Sequence, residues 1–208
     1  GKFKTKTTGL SKISISMLTK IKEKNGYKLN AQFGLEKSIG DNDVTGNVLT
    51  PMNMTKEMIL PYSMQIGDDA TSLIIGLNMS KNIEDWSFGG QMIFKSVITD
   101  KDWNYGNNFL LSGWAGKNLT DSLSTSVLLT YRDIDKINGR DMRIMAPVQT
   151  ANPDNYGGSI YQVSFGLNKI LKNKDTLGLE ISVPIDQNLN GPQMEEDLKL
   201  TIGYKKVF

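Results

Sequence analysis

The 208-residue sequence contains no histidine and no cysteine. Histidine is the commonest general base and the commonest protein metal ligand, so its absence excludes Ser-His and Asp-His catalytic pairs. The absence of cysteine excludes disulfides and is compatible with an exported protein that relies on none. We therefore expect no enzymatic activity and no cofactor.

Long apolar runs are also missing. A transmembrane helix needs about 18 or more consecutive apolar residues, and no segment of this length occurs in the sequence. The formal net charge of +2 argues against a dedicated nucleic-acid surface. The mean hydropathy of -0.32 would suit a soluble domain, but strands with one polar face give the same average as a soluble protein.

What the chain does contain is alternation of apolar and polar residues with a period of two. Nine segments show it, at 13–21, 27–35, 73–79, 86–98, 109–119, 123–131, 161–167, 177–185 and 198–208. Only 109–119 has an ambiguous phase, because Leu110 and Trp114 compete with Phe109, Leu111 and Ala115. Several segments reach the roughly 9 to 11 residues that cross a bilayer as a tilted strand, whereas strands of soluble sandwiches are commonly shorter.

The connections between these segments alternate between short and long. The short ones share a Lys-Asn signature and lie at 24–26, 81–85, 117–121 and 172–175. The long ones are rich in turn-forming residues and lie at 40–69, 99–107, 133–158 and 186–196. Short periplasmic turns and long outer loops are typical of bacterial outer-membrane barrels. The sequence thus predicts an all-β fold, an antiparallel transmembrane β-barrel of about nine strands, in the bacterial outer membrane.

The direction of the strands predicts that the barrel is larger than this chain. The last strand ends on the aromatic Phe208, as final strands of such barrels do, and so runs toward the periplasm. Because neighbouring strands alternate in direction, counting backward from the last strand makes the strand at 10–21 run toward the periplasm as well. It would therefore begin on the outer side, whereas single-chain bacterial barrels start in the periplasm and have an even strand number. We therefore expect residues 1–208 to form one barrel domain that lacks its N-terminal strands. The alternative is one miscounted strand, most plausibly within 40–69, and a complete barrel of about eight or ten strands.

Several motifs resemble the C-terminal part of a family of outer-membrane proteins labelled phenol-degradation meta-pathway-like, or simply transporters. They are Leu60–Asp69, Trp86–Gln91, Thr150–Asp154 with Gly157-Gly158, and Asn190–Met194 leading into Leu200–Tyr204. The resemblance covers the chain from about Gly9 to Phe208 and implies roughly three further strands upstream, which gives a barrel of about twelve. The family label implies passage of small aromatic compounds.

The alternation assigns a face to each strand residue. Toward lipid we expect Phe33, Leu77, Phe94, Leu129, Phe165, Leu179 and Ile202. Toward the lumen we expect Gln32, Asn78, Lys95, Thr130, Ser164, Glu180 and Thr201. Arginine at Leu179 should therefore be costly, and arginine at the neighbouring Ser182 should be much milder.

Two functions suit this pattern. The first is a channel or transporter for small solutes, aromatic ones included, with a lumen lined by Lys95, Arg132, Glu180 and Lys199 and narrowed by the loop at 40–69. The alternative is a non-transporting scaffold that binds a protein partner through its outer loops, particularly 133–158. Outer-membrane lipid and lipopolysaccharide are expected partners of either, and nucleic acid is not.

Two features of the predicted loops suggest that they could bind metal ions. Four of the ten methionines lie within one long loop, namely Met52, Met54, Met58 and Met64. Thioether sulfur suits Cu(I), so these residues could capture copper, but methionine more often fills irregular space in a folded loop. The acidic pairs Asp68-Asp69 and Glu195-Glu196 are expected to be solvated turn residues, with divalent-cation or lipopolysaccharide bridging as the alternative.

Overall fold

Nine long antiparallel strands form one sheet in the computed structural model, which describes residues 5–49, 52–146 and 148–206. The long strands are β1 Lys12–Lys24, β2 Tyr27–Ser38, β5 Thr71–Ile83, β6 Trp86–Val97, β8 Asn108–Thr120, β9 Leu123–Ile134, β11 Gly158–Ile170, β12 Thr176–Leu189 and β13 Lys199–Lys205. The short strands are β3 Thr45–Leu49, β4 Thr55–Ile59, β7 Trp103–Asn104 and β10 Asn138–Gly139. Each long strand pairs with the next long strand along the chain, so the sheet is a meander. The predicted all-β antiparallel fold and the count of nine strands are confirmed.

Tight turns join the long strands at one end of the sheet. Asn25 and Gly26, between β1 and β2, have φ values of 51° and 75°. A type I′ turn needs positive φ at both central residues, which Asn and Gly tolerate best. Glu84 and Lys174 also have positive φ in their turns. The four short connections lie at one end and the long loops lie at the other. The connection predicted at 117–121 is shorter than expected, because β8 continues to Thr120 and the turn is Asp121-Ser122.

The two faces of the sheet differ in the way the alternation predicts. The seven residues expected to face lipid are all exposed, from 41% for Leu179 to 69% for Ile202, and no second sheet covers them in the described part of the chain. This face is called the outer face. The opposite face, called the inner face, carries Gln32, Asn78, Lys95, Thr130, Ser164, Glu180 and Thr201, which share it by strand register.

The ambiguous segment in β8 is resolved by its neighbour β6. Leu111 lies on the outer face and is 48% exposed, while Trp114 lies on the inner face beside Gly89. A Cβ atom on Gly89 would fall 2.0 Å from the Trp114 ring, so the indole lies directly over the glycine. Only glycine leaves room for this ring, and this fixes the phase of β8.

The buried apolar core lies in the long loops rather than in the sheet. It consists of Tyr62, Trp103, Ile137, Ile144, Ala146 and Ala151. These residues come from the loops at 39–70, 98–107 and 135–157, which also hold the β3–β4 hairpin, the β7–β10 pair and three 3-10 helices. We call this assembly the loop cap. The predicted long loops thus pack against one another instead of extending separately.

The two edge strands complete the description of the sheet. Within the described residues, β1 pairs only with β2 and β13 pairs only with β12. Nine alternating strands make β1 and β13 run in the same direction, so the antiparallel closure of the alternative interpretation is not seen in this part of the chain. The expectation of about twelve strands stays a prediction. Phe208 lies outside the described residues.

Among the described residues, no helix has the length and apolar character needed to cross a membrane.

Candidate functional site

The inner face carries its charges near the loop cap as ion pairs. Lys95 Nζ lies 3.0 Å from Glu36 Oε1, and Lys12 Nζ lies 3.3 Å from the same oxygen. Residues 65–68 of the loop cap lie over this group and enclose with it a cavity of about 270 Å³. Lys95, predicted to line the lumen, therefore contacts a carboxylate on β2 rather than standing alone.

The other three predicted lumen residues lie on later strands. Arg132 of β9 pairs with Glu196 at 2.6 Å, and Gln187 of β12 holds Glu196 through hydrogen bonds of 2.9 and 3.0 Å to its backbone. Glu180 accepts a hydrogen bond from the Ser182 hydroxyl at 3.3 Å. Lys199 faces Ser182 across the β12–β13 pair. All four candidates share the inner face, but the structure does not gather them into one cluster.

The surroundings of Ser182 contradict the expectation that arginine would be tolerated there. It is 1% exposed, and its hydroxyl accepts a 2.8 Å hydrogen bond from Ser164, which is 3% exposed. Arginine at this position would lose that bond and has no space, so the prediction of a mild substitution is wrong. Thr201 on the same face of β13 is exposed and is the better lumen position.

A row of uncharged polar side chains crosses the middle of the inner face. Successive members are direct partners in the sheet, from β2 through β5, β6, β8 and β9 to β11: Asn30, Asn78, Gln91, Ser112, Thr130 and Gln162. We call it the neutral polar row. The alternation assigns each residue to the inner face, but it does not show that these six align. Sequence reasoning missed the row because alignment depends on the register of five strand pairs.

Apolar side chains flank the neutral polar row on both sides. Ile93 and Leu110 are direct partners one step toward the loop cap, where Gly76 opposes Ile93. Trp114 and Leu128 are direct partners one step toward the short turns. The central inner face therefore combines hydrogen-bonding groups with apolar surface. Two cations adjoin it, since Lys20 is the direct partner of Asn30 and Arg132 is the direct partner of Leu110.

Tyrosine hydroxyls hold the loop cap together. Tyr62 is fully buried, and its hydroxyl accepts a hydrogen bond from the Asp141 amide at 2.9 Å. Tyr105 donates to the Tyr62 carbonyl at 2.6 Å, and Tyr156 accepts from the Ser63 amide at 2.9 Å. Burial raises the pKa of all three phenols, so each stays protonated and able to donate at neutral pH.

Asp68 is structural, which corrects the expectation of a solvated turn residue, whereas its neighbour Asp69 is half-exposed and has the positive φ of a turn residue. Asp68 is 7% exposed and accepts from the amides of Ala70 at 3.2 Å and Tyr105 at 2.9 Å. Asp69 is bound by Lys101 and, at 2.6 Å, by Lys37. Hydrogen bonds from Lys101 and then Lys37 lower the pKa of Asp69 to about 2.

The four methionines of the copper hypothesis lie in different surroundings. Met52 and Met54 are 75% and 57% exposed, whereas Met58 packs against the loop-cap core and Met64 is half-buried. Met58 thus fills space inside the folded loop, which was the alternative to copper binding. In the described part of the chain, no group of three or more His, Cys, Asp or Glu residues is arranged to hold a metal ion.

Solved outer-membrane proteins share this architecture. The sheet has the fold of an outer-membrane β-barrel. An outer-membrane channel from Pseudomonas putida F1 matches 94% of this chain and 82% of its own, with a TM-score of 0.55 and 16% identity. OmpT of Vibrio cholerae, an outer-membrane protein in trimer form, matches 91% of this chain with a TM-score of 0.52 and 10% identity. No protein-family model and no curated protein matches the chain.

These similarities concern the fold. Both solved structures are outer-membrane proteins, in agreement with the location expected from the sequence. The chain spans 55% of the length of the OmpT chain. The outer-membrane barrel class is supported, and the more specific resemblance to the phenol-degradation family stays a prediction.

Proposed function

We propose that this protein is an outer-membrane channel for small solutes, aromatic ones included. The observation that carries the proposal is the contrast between the two faces of the sheet. The outer face presents exposed apolar side chains that suit lipid, whereas the central inner face presents hydrogen-bonding groups that suit water and solutes. The channel from Pseudomonas putida F1 shares this fold, which supports the proposal at the level of class.

Aromatic solutes belong to the proposal for two reasons. The indole of Trp114 lies on the inner face beside Leu128 and supplies a flat surface next to hydrogen-bonding groups. The motif resemblance points to the same class of compound. Lys95, Arg132, Glu180 and Lys199 would set local charge along the lumen, with Lys95 and Arg132 largely balanced by their partners Glu36 and Glu196. No catalytic role is proposed for any of them.

Conductance in planar lipid bilayers tests the proposal. A refolded full-length barrel that contains these nine strands should give discrete, stepwise openings in potassium chloride. Refolding should first be verified by the strand content in circular dichroism, so that a misfolded sample is not scored. A folded, inserted full-length barrel that never opens would favour the alternative function as a scaffold.

The scaffold alternative also has an observation in its favour. Met142 and Met145, in the loop at 135–157, are 78% and 76% exposed although the loop is anchored in the loop-cap core by Ile144 and Ala146. Exposed methionines on a loop that is anchored at both of these residues form a suitable protein-binding surface. Under this alternative, replacing both methionines with serine would abolish partner binding without changing conductance.

A further inference from the structure

Lysines share the outer face of the sheet at the end where the short turns lie. By strand register, Lys24 of β1, Lys81 of β5 and Lys117 of β8 belong to this face. All three are exposed, and none forms an ion pair with a described carboxylate. The turn carboxylates of Glu84 and Asp85 form no ion pair with them either. The outer face of the described strands therefore carries uncompensated positive charge at this end.

Aromatic rings lie between these lysines. Trp86 is the direct partner of Lys117, whose Nζ atom lies 5.1 Å from the centroid of the indole. Phe88 is the direct partner of Lys81 and stacks on Trp86, with ring centroids 5.9 Å apart. Aromatic girdles mark the membrane interfaces of such barrels, and lysines near strand ends extend to the interface. The ammonium groups of Lys81 and Lys117 therefore lie at the level of lipid phosphates in the periplasmic leaflet.

An apolar groove of about 830 Å³ runs along the outer face from Ala115 toward the loop cap. Its floor is the direct pair Gly90–Gly113. Its walls are side chains of four strands: Met79, Phe88, Leu111 and Leu129. The rise from Ala115 to Leu111 is about 13 Å, close to the roughly 15 Å of hydrocarbon in one leaflet. The groove thus has the length of an acyl chain, and it begins two residues from Lys117 on the same face.

Charge distinguishes the two ends of the groove. Asp133 and Asp186 share the outer face at the loop-cap end, and Tyr131 donates a hydrogen bond to the Asp133 carboxylate at 3.0 Å. Carboxylates repel a phosphate, whereas Lys81 and Lys117 attract one. An anionic headgroup therefore fits at the short-turn end, with its chain directed toward the loop cap. This is the direction of a periplasmic-leaflet phospholipid and not of lipopolysaccharide, whose headgroup lies on the loop-cap side.

We propose that the outer face binds one anionic phospholipid of the periplasmic leaflet, with its phosphate at Lys81 and Lys117 and one acyl chain in the Gly90–Gly113 groove. Direct cross-strand partners have Cβ atoms about 5 Å apart, and β6 alone separates the two lysines, so their long side chains can converge on one phosphate. The unpaired lysines favour a headgroup with net negative charge over a zwitterionic one. The inference uses the membrane location of the barrel and not its conductance.

Quenching of Trp86 fluorescence by brominated lipids tests this inference in a refolded full-length barrel that contains these nine strands. Trp86 lies at the proposed headgroup site, whereas Trp114 lies on the inner face and Trp103 is buried in the loop cap. Trp86→Phe identifies the share of the signal that comes from Trp86. The vesicles are phosphatidylcholine with a minor fraction of phosphatidylglycerol, and either lipid carries the bromine.

Phosphatidylglycerol should be enriched at Trp86 at least about fivefold over its fraction in the vesicle, the factor expected from one lysine near an anionic lipid. Lys81→Gln combined with Lys117→Gln should abolish the enrichment, and each single variant should lower it. Arginine at both positions should preserve it. Lys28→Gln is the matched control, because Lys28 lies at the same end on the inner face, 3.5 Å from Glu23, and should leave the enrichment unchanged.

Gly113→Leu tests the groove separately from the lysines. A Cβ atom on Gly113 would meet nothing closer than 3.8 Å, so the leucine side chain fills the groove without displacing the sheet. The wild type should retain one phosphatidylglycerol molecule in native mass spectrometry, and Gly113→Leu should lose it. Thr19→Leu adds the same side chain at an exposed outer-face position on β1 and should retain the lipid.

Equal quenching by the two brominated lipids in the wild type would overturn the inference, as would an enrichment that survives the loss of both lysines. Retention of the lipid in Gly113→Leu would overturn the groove as the site of the chain. Cross-linking of a second copy at Gly113, with no quenching of Trp86 by either lipid, would make the groove an interface between copies and the inference wrong. A barrel that binds the lipid but does not conduct would support the inference while the channel proposal fails.

Discussion

The Tyr62 hydroxyl accepts a hydrogen bond from the backbone amide of Asp141 at 2.9 Å, across 79 positions of the sequence. Tyr62 lies in the loop at 39–70 and Asp141 in the loop at 135–157, and both are buried. The bond joins two loops that begin on opposite sides of β5, β6, β8 and β9. It therefore makes the loop cap one packed unit.

Replacing Tyr62 with phenylalanine should loosen that unit without unfolding the sheet. The variant keeps the ring against Trp103, with centroids 4.9 Å apart, but leaves the Asp141 amide buried without an acceptor. The local cost should be about 1 to 3 kcal/mol. Hydrogen exchange should show faster exchange at residues 137–146 and unchanged exchange in β8 and β9. Tyr161→Phe, which removes a hydroxyl from the outer face, should leave exchange in the loop cap as in the wild type.

Gly89→Ala should destabilise the sheet through Trp114. The new Cβ would lie 2.0 Å from the indole, which must leave its position. Overpacking of this kind costs about 1 to 3 kcal/mol in the free energy of unfolding. Denaturant unfolding followed by tryptophan fluorescence measures it. In a Trp114→Ala background the same glycine substitution should cost little, and equal costs in both backgrounds would contradict the contact. Gly203→Ala is the control, since nothing lies within 4 Å of its Cβ position.

The outer and inner faces should differ in their tolerance of arginine. Leu179→Arg places a charge on the apolar outer face and should cost about 2 to 4 kcal/mol near the bilayer midplane. Thr201→Arg places the same side chain on the exposed inner face of the neighbouring strand and should cost under about 1 kcal/mol. Unfolding from lipid bilayers compares the two. Similar costs for the two variants would argue against a lipid-facing outer face.

Asp69 should make the loop cap sensitive to acid. Its pKa falls from 3.8 to about 2 because Lys101 and Lys37 bind the ionised carboxylate. The stabilisation is therefore complete above about pH 4 and is lost as the pH falls toward 2. Because the side chain is 49% exposed, the effect should stay below about 1 kcal/mol and weaken in high salt.

Hydrogen exchange at residues 65–70, followed from pH 5 to 2 and corrected for intrinsic rates, measures the effect of Asp69. The wild type should lose protection as the pH falls through this range. Asp69→Asn should remove that pH dependence, whereas Glu57→Gln on the β3–β4 hairpin should preserve it. Identical pH profiles in the wild type and Asp69→Asn would contradict a role for the lysine pairs.

Much of the fold could be predicted from the sequence because a strand has a period of two. The alternation identified all nine long strands and assigned residues such as Phe165 and Ser164 to opposite faces. The Asn25-Gly26 dipeptide identified its turn, since few residues adopt positive φ at both positions. These features are local, so they require no knowledge of distant contacts.

Parts of the candidate site could not be predicted because they depend on contacts between distant residues. The acidic pair Asp68-Asp69 resembles solvated turn residues in sequence, yet Asp68 is buried against the Tyr105 amide. Ser182 resembles a free lumen residue, yet it is bonded to Ser164 on the neighbouring strand. Nothing near either residue in the sequence indicates these partners.

The amino-acid pattern alone specifies the strands, their two faces and the alternation of short and long connections, because each depends on neighbours within one strand or turn. The register of the strands, in contrast, emerges only in the folded sheet. That register aligns Asn78, Gln91 and Ser112 in one row and places Trp114 over Gly89. Register is the combined result of turns, bulges and side-chain packing across several strands, so no single segment encodes it. The packing of three long loops around Tyr62 is likewise a property of the folded chain.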